Sequence, residues 1–81
     1  MIETIRELVA ENGRLPVGIE TLANDQDLYA AGLTSFAAVQ LMLAIEDRFD
    51  IEFPETMLNR RSFSSVDAIA GCLHDLSAKA A

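Results

Sequence analysis

Asp27-Leu28-Tyr29-Ala30-Ala31-Gly32-Leu33-Thr34-Ser35-Phe36 closes a loop and opens an apolar helix. Gly32 relaxes the backbone, and Thr34 has the side chain of an N-cap. Apolar residues then recur at helical spacing from Phe36 to Phe49. The stretch therefore predicts one exposed hydroxyl, that of Ser35, at the N-terminus of a helix over roughly residues 35 to 49.

On the N-terminal side, Ile2, Ile5, Leu8 and Val9 have helical spacing and Asn12-Gly13 is a stop signal, which predicts a helix over about 2 to 12. Pro16, Gly18, Asn24, Asp25 and Gly32 mark a long loop between the two helices. Loops of this length are uncommon in small domains and are often functional. Leu15, Val17, Ile19, Leu22 and Leu28 are expected to pin it to the core. On the C-terminal side, Pro54 suits the first turn of a short third helix over about 54 to 59. Ser64 is the expected N-cap of a last helix, with Asp67 at N3 as a weak capping-box partner. Val66, Ile69, Ala70, Leu73 and Leu76 carry that helix over about 65 to 77. No repeat, low-complexity tract or β-alternation is present. The expected fold is all-α, a small four-helix bundle forming one domain over residues 1 to 81.

An 81-residue chain that is 51% apolar can build one small core, although a domain of this size buries only about 60% of its unfolded surface. Its net charge of -7 disfavours nucleic acid and anionic membranes and favours basic partner surfaces. Cys72 is the single cysteine, so no internal disulfide and no cysteine-based zinc site can form. Met1 to Glu7 lacks the pattern of a signal peptide, and the apolar run from Phe36 to Ile45 is too short to span a bilayer. A soluble, monomeric, cytoplasmic protein is expected.

The second helix carries two apolar stripes. Ala38, Leu41, Ile45 and Phe49 form one and are expected to face the core. Phe36, Val39 and Leu43 form the other, which is expected to be exposed and to serve as a docking surface. Glu46, Asp47, Asp50, Glu52 and Glu55 follow, opposed only by Arg48. Such a run is either a solvated face or a means of steering basic partners.

Enzymatic chemistry is poorly supported. Gly32-Leu33-Thr34-Ser35-Phe36 is not a nucleophile elbow, which needs glycine after the serine, and the one histidine, His74, lies late in the last helix. A calcium loop starting at Asp25 fails because Ala30 and Phe36 would fill its glycine and glutamate positions. Ser35 remains, either as a simple capping residue or as a modification site where helix N–H groups favour an attached phosphate.

Asp27-Leu28, Gly32-Leu33 and Ser35 resemble the phosphopantetheine attachment signature of acyl carrier proteins, and the similarity continues through Val39, Leu41, Ile45, Glu46, Phe49, Ile51, Pro54, Phe63, Val66 and Ile69. The resemblance implies an acyl-carrier-type bundle in which a phosphopantetheinyl transferase attaches 4'-phosphopantetheine, taken from coenzyme A, to Ser35. Cargo would then ride as a thioester, brought by a loading ligase and passed to a downstream acyltransferase or synthase. Phe36, Val39, Leu43, Glu46 and Asp47 match partner-contact positions in that family. Ala38, Leu41, Ile45 and Ile69 match positions where long acyl chains can be stored. Two departures, Thr34 in place of an aspartate and Gln40 in place of a glutamate, imply a specialised carrier rather than a housekeeping fatty-acid carrier. Tyr29 to Phe36, Asp50-Ile51-Glu52-Phe53-Pro54 and Leu58-Asn59-Arg60-Arg61-Ser62-Phe63 further resemble small stand-alone bacterial carriers loaded by amino acid:carrier protein ligases. Aminoacyl cargo and another specialised acyl or polyketide-type cargo both stay open. Leu58-Asn59-Arg60-Arg61 would be a partner contact in that group, or else Arg60 and Arg61 form a solvated turn offsetting nearby acids. The alternative to a carrier is an unmodified acidic adaptor that binds a protein through the Phe36/Val39/Leu43 stripe.

Overall fold

In the computed structural model, which describes residues 1–80 and side chains through Ser77, three α-helices enclose one hydrophobic core. They are α1 (Ile2–Asn12), α2 (Ser35–Phe49) and α3 (Val66–Ala80). Three short 3-10 turns, Ile19–Thr21, Glu55–Met57 and Arg60–Phe63, punctuate the connections.

Each helix buries one stripe. Ile5 and Val9 of α1, Leu41 and Ile45 of α2, and Ile69 and Leu73 of α3 lie one turn apart and meet in the core. Ala37 and Ala38 let α2 approach closely, while Phe53 and Phe63 close one end of the core edge-to-face, with ring centroids 5.3 Å apart.

The expected third helix over 54 to 59 is instead two separate 3-10 turns. Leu58, at φ −86° and ψ 70°, leaves helical geometry, and Asn59 is extended. Its side-chain oxygen accepts from the Ser62 N–H at 3.0 Å and so starts a new turn. An Asn that caps is worth more here than an Asn inside a helix. The last helix also starts one residue later than expected. Ser65, not Ser64, is the cap, accepting from the Ala68 N–H at 3.0 Å, which moves Asp67 from N3 to N2. Ser64 donates instead to the Arg61 carbonyl at 2.8 Å.

The long loop is held from several directions. Leu22, Leu28 and Leu33 are buried, and Leu15 and Ile19 are half-buried, but Val17 is 44% exposed and does not pin it. Arg6 of α1 acts as a clasp. It donates to the Leu22 and Ile19 carbonyls at 2.9 and 2.7 Å and to Asn24 Oδ1 at 2.8 Å. The loop is also stitched to the start of α3 by Leu28 N–H to the Ser64 carbonyl (2.7 Å) and Asp67 N–H to the Asn24 carbonyl (2.9 Å). Helix α1 stops at Gly13 as expected, yet the left-handed residue there is Arg14, with φ 51°.

Candidate functional site

The approach to Ser35 is a tightly bonded turn. Asp27 Oδ1 accepts from the Tyr29 N–H at 2.9 Å. The N–H groups of Ala31, Gly32 and Leu33 then donate to the carbonyls of Asp27, Tyr29 and Leu28. Gly32 sits at φ 119°, and a Cβ placed there would lie 2.6 Å from Pro16 Cδ, so both conformation and space demand glycine. Leu28, with no exposed surface, anchors the turn beneath Ser35.

Thr34 caps α2, its Oγ1 accepting from the Ala37 N–H at 3.0 Å, while its carbonyl accepts from Ala38 N–H at 2.9 Å. The cap thus comes from Thr34, and among the described residues no hydrogen bond uses the hydroxyl of the exposed Ser35. At the other end of α2, Asp50 adopts the left-handed conformation that stops the helix. Glu46 holds the chain that follows. Its carbonyl accepts from the Ile51 N–H at 3.0 Å and its Oε2 from the Phe53 N–H at 2.8 Å.

Ser35 opens onto a groove of about 380 Å³. Ala38, Val39 and Met42 of α2 line one side, and Leu58, Asn59 and Phe63 contribute from the 3-10 segments. Tyr29 and Arg60 complete the lining, with the guanidinium 4.1 Å from the centre of the Tyr29 ring. Burial pushes the Tyr29 phenol up from its ordinary 10.0, Arg60 pulls it back down, and Asp27 adds a smaller upward push. The lining holds no histidine, carboxylate or lysine that could take a proton from Ser35.

The structure separates the two stripes of α2 as expected. Phe36, Val39 and Leu43 are 65, 52 and 54% exposed, whereas Ala38, Leu41 and Ile45 are buried. Asp47 is exposed on the same helix, but Glu46 is half-buried and engaged with Phe53. Arg60 and Arg61 are both exposed, and only Arg60 lines the groove with Ser35. Leu41, Ile45 and Ile69 are fully packed, with no exposed surface. His74 is exposed and Cys72 half-buried. Among the described residues, no cluster of His, Cys, Asp or Glu could hold a metal, and no helix is long and apolar enough to cross a membrane. Sequence reasoning missed Tyr29, Met42 and Leu58 as groove residues. Only the resemblance of the segments containing Tyr29 and Leu58 drew any attention to them, because nothing local links residues so far apart in the chain.

The sequence matches the family described as phosphopantetheine attachment site over residues 3–73, and the chain belongs to that family. It is a carrier protein with a covalently attached 4'-phosphopantetheine, not an enzyme. The aminoacyl carrier protein of Agrobacterium fabrum is 61% identical over 69 residues, which span 85% of this chain and 83% of that relative. Among solved structures, one similar chain belongs to a crystal structure of an engineered Bradyrhizobium japonicum glycine:[carrier protein] ligase complexed with carrier protein from Agrobacterium tumefaciens and AMP. It is 57% identical, with a TM-score of 0.89 over 91% of this chain and 99% of that one. A solution structure from Agrobacterium tumefaciens is 53% identical, with a TM-score of 0.77 over the full length of both chains. The residues present fit the prosthetic group: an exposed hydroxyl, open helix N–H groups for a phosphate, and an adjoining groove with one cation.

Proposed function

We propose that Ser35 is the attachment point and that the cargo is a small aminoacyl group, held as a thioester and presented to partner enzymes. One observation carries this reading: an exposed hydroxyl, free of any role in the fold, stands at the head of α2 beside an open groove. A phosphopantetheinyl transferase would join Ser35 Oγ to phosphorus from coenzyme A. The new Oγ–P bond replaces the P–O bond of the pyrophosphate, the nucleotide part leaves, and the hydroxyl proton is lost. The arm supplies a terminal thiol, and the chain's own residues position it. Aminoacyl cargo is supported by the 61% identical aminoacyl carrier protein and by the similar carrier complexed with a glycine:[carrier protein] ligase. The fully buried Leu41/Ile45/Ile69 layer has no need to open for so small a cargo.

Phe36, Val39 and Leu43, with Asp47 beside them, form the face offered to a loading ligase and to a downstream acyltransferase or synthase. Arg60 extends that face across the groove, and the exposed Arg61 next to it in the chain is a further partner contact. Work as a monomeric single domain in the reducing, ATP-supplied cytoplasm fits a free terminal thiol and an unpaired Cys72. Intact mass after incubation with coenzyme A and a broad-specificity transferase tests the attachment. The expected outcome is a gain of one phosphopantetheine, absent in Ser35→Ala. Incubation of the holo protein with ligase, ATP and glycine is expected to give a hydroxylamine-labile adduct. No mass gain with several transferases would sink the carrier site, and charging by fatty acids alone would sink the aminoacyl cargo.

A further inference from the structure

The polar groups of the groove beside Ser35 are unequally committed. Asn59 is spent on the turn it caps, with Nδ2 donating to the Thr56 carbonyl at 3.0 Å and Oδ1 accepting from the Ser62 N–H and hydroxyl at 3.0 and 3.2 Å. Arg60 is the charged residue of the lining, and its guanidinium rests on the π face of Tyr29 rather than on a carboxylate. In a chain of net charge -7, this cation shares the groove with the hydroxyl that would receive a phosphodiester. A guanidinium is weakly hydrated, stacks on aromatic rings and offers paired donors to phosphate oxygens. The rest of the groove is mainly apolar, from Val39, Met42, Leu58 and Phe63, which suits the methyl-bearing pantoyl part of the arm.

We infer that Arg60, propped on the Tyr29 ring, is a positioning residue that meets the phosphodiester at Ser35 and lays the prosthetic arm along the groove against Met42, Leu58 and Phe63. The inference rests on Ser35 being the attachment point. It adds a residue and a resting place for the arm that attachment alone does not require.

The test uses isotope-labelled holo protein carrying an unlabelled arm, with loading first verified by mass. Filtered NOE spectra should show the arm's methyl groups against Met42, Leu58 and Phe63. An exposed ion pair is worth only a few-fold in population, so these NOEs should fall about three-fold in Arg60→Ala and be largely retained in Arg60→Lys. A native-like amide spectrum of each apo variant separates this effect from misfolding. In the wild type the same NOEs should weaken as salt is raised. Arm NOEs confined to Ser35 and Phe36 in the wild type, or groove NOEs indifferent to both Arg60→Ala and salt, would overturn the inference. The mass gain is read independently, so either result leaves the attachment site itself separately decided.

Discussion

Thr34 shows how one side chain can be replaced without losing its structural task. An aspartate there would cap α2 and add charge; threonine caps without the charge. Thr34→Ala is therefore expected to cost about 1 kcal/mol in chemical denaturation. Thr34→Asp should keep that stability and should change transferase kinetics, if anything, through its charge. Tyr29 gives a second test at this scale. Its folded-state pKa is raised, so the folded protein holds the phenol proton more tightly than the unfolded chain does. The associated stability is fully present below pH 10.0 and is lost as pH rises through the folded value. Arg60→Ala removes the opposing influence and should move the transition further up. Because Tyr29 is the only tyrosine and there is no tryptophan, phenolate absorbance reads this residue alone.

At the scale of elements, α2 serves both core and surface, and the two duties can be separated by mutation. Leu43→Asp changes an exposed position and should leave the unfolding midpoint within about 0.5 kcal/mol of wild type. On the proposed docking face it should raise the KM for loading by a cognate ligase. Glu46→Ala should behave differently, costing about 1–2 kcal/mol because the Phe53 N–H loses a charged acceptor. The α2 stripes and the Thr34 cap were legible in the sequence because helical period and capping chemistry are local. The 3-10 turns after Pro54 were not. Asn59 competes with helix formation through its own side chain, and the choice depends on Phe63 reaching Phe53 across the core. Ser64 and Ser65 are equally good caps by type. The choice between them follows from the Leu28 N–H, which claims the Ser64 carbonyl from a loop distant in sequence.

For the molecule as a whole, the long loop is an integral part of the core rather than a tether. Arg6 closes three hydrogen bonds across it, so Arg6→Ala should cost about 2–3 kcal/mol and should raise amide exchange through residues 19 to 24 before the helices open. The sequence identified the apolar anchors Leu22 and Leu28 but not this clasp, since an arginine in an amphipathic helix reads as solvated until its partners fold back upon it. The candidate site was legible as an exposed hydroxyl and an exposed apolar stripe. The groove joining them was hidden, because it is assembled from Tyr29, α2 and residues 58 to 63 only after folding.

Because Thr34 supplies the cap, Ser35 contributes nothing that folding depends on. The bare chain should therefore be durable without its arm, and a cell could hold undecorated copies in its pool without their being culled by proteases. The transferase would meet a finished domain, and traffic through the carrier would be limited by how often it is loaded rather than by how long it lasts.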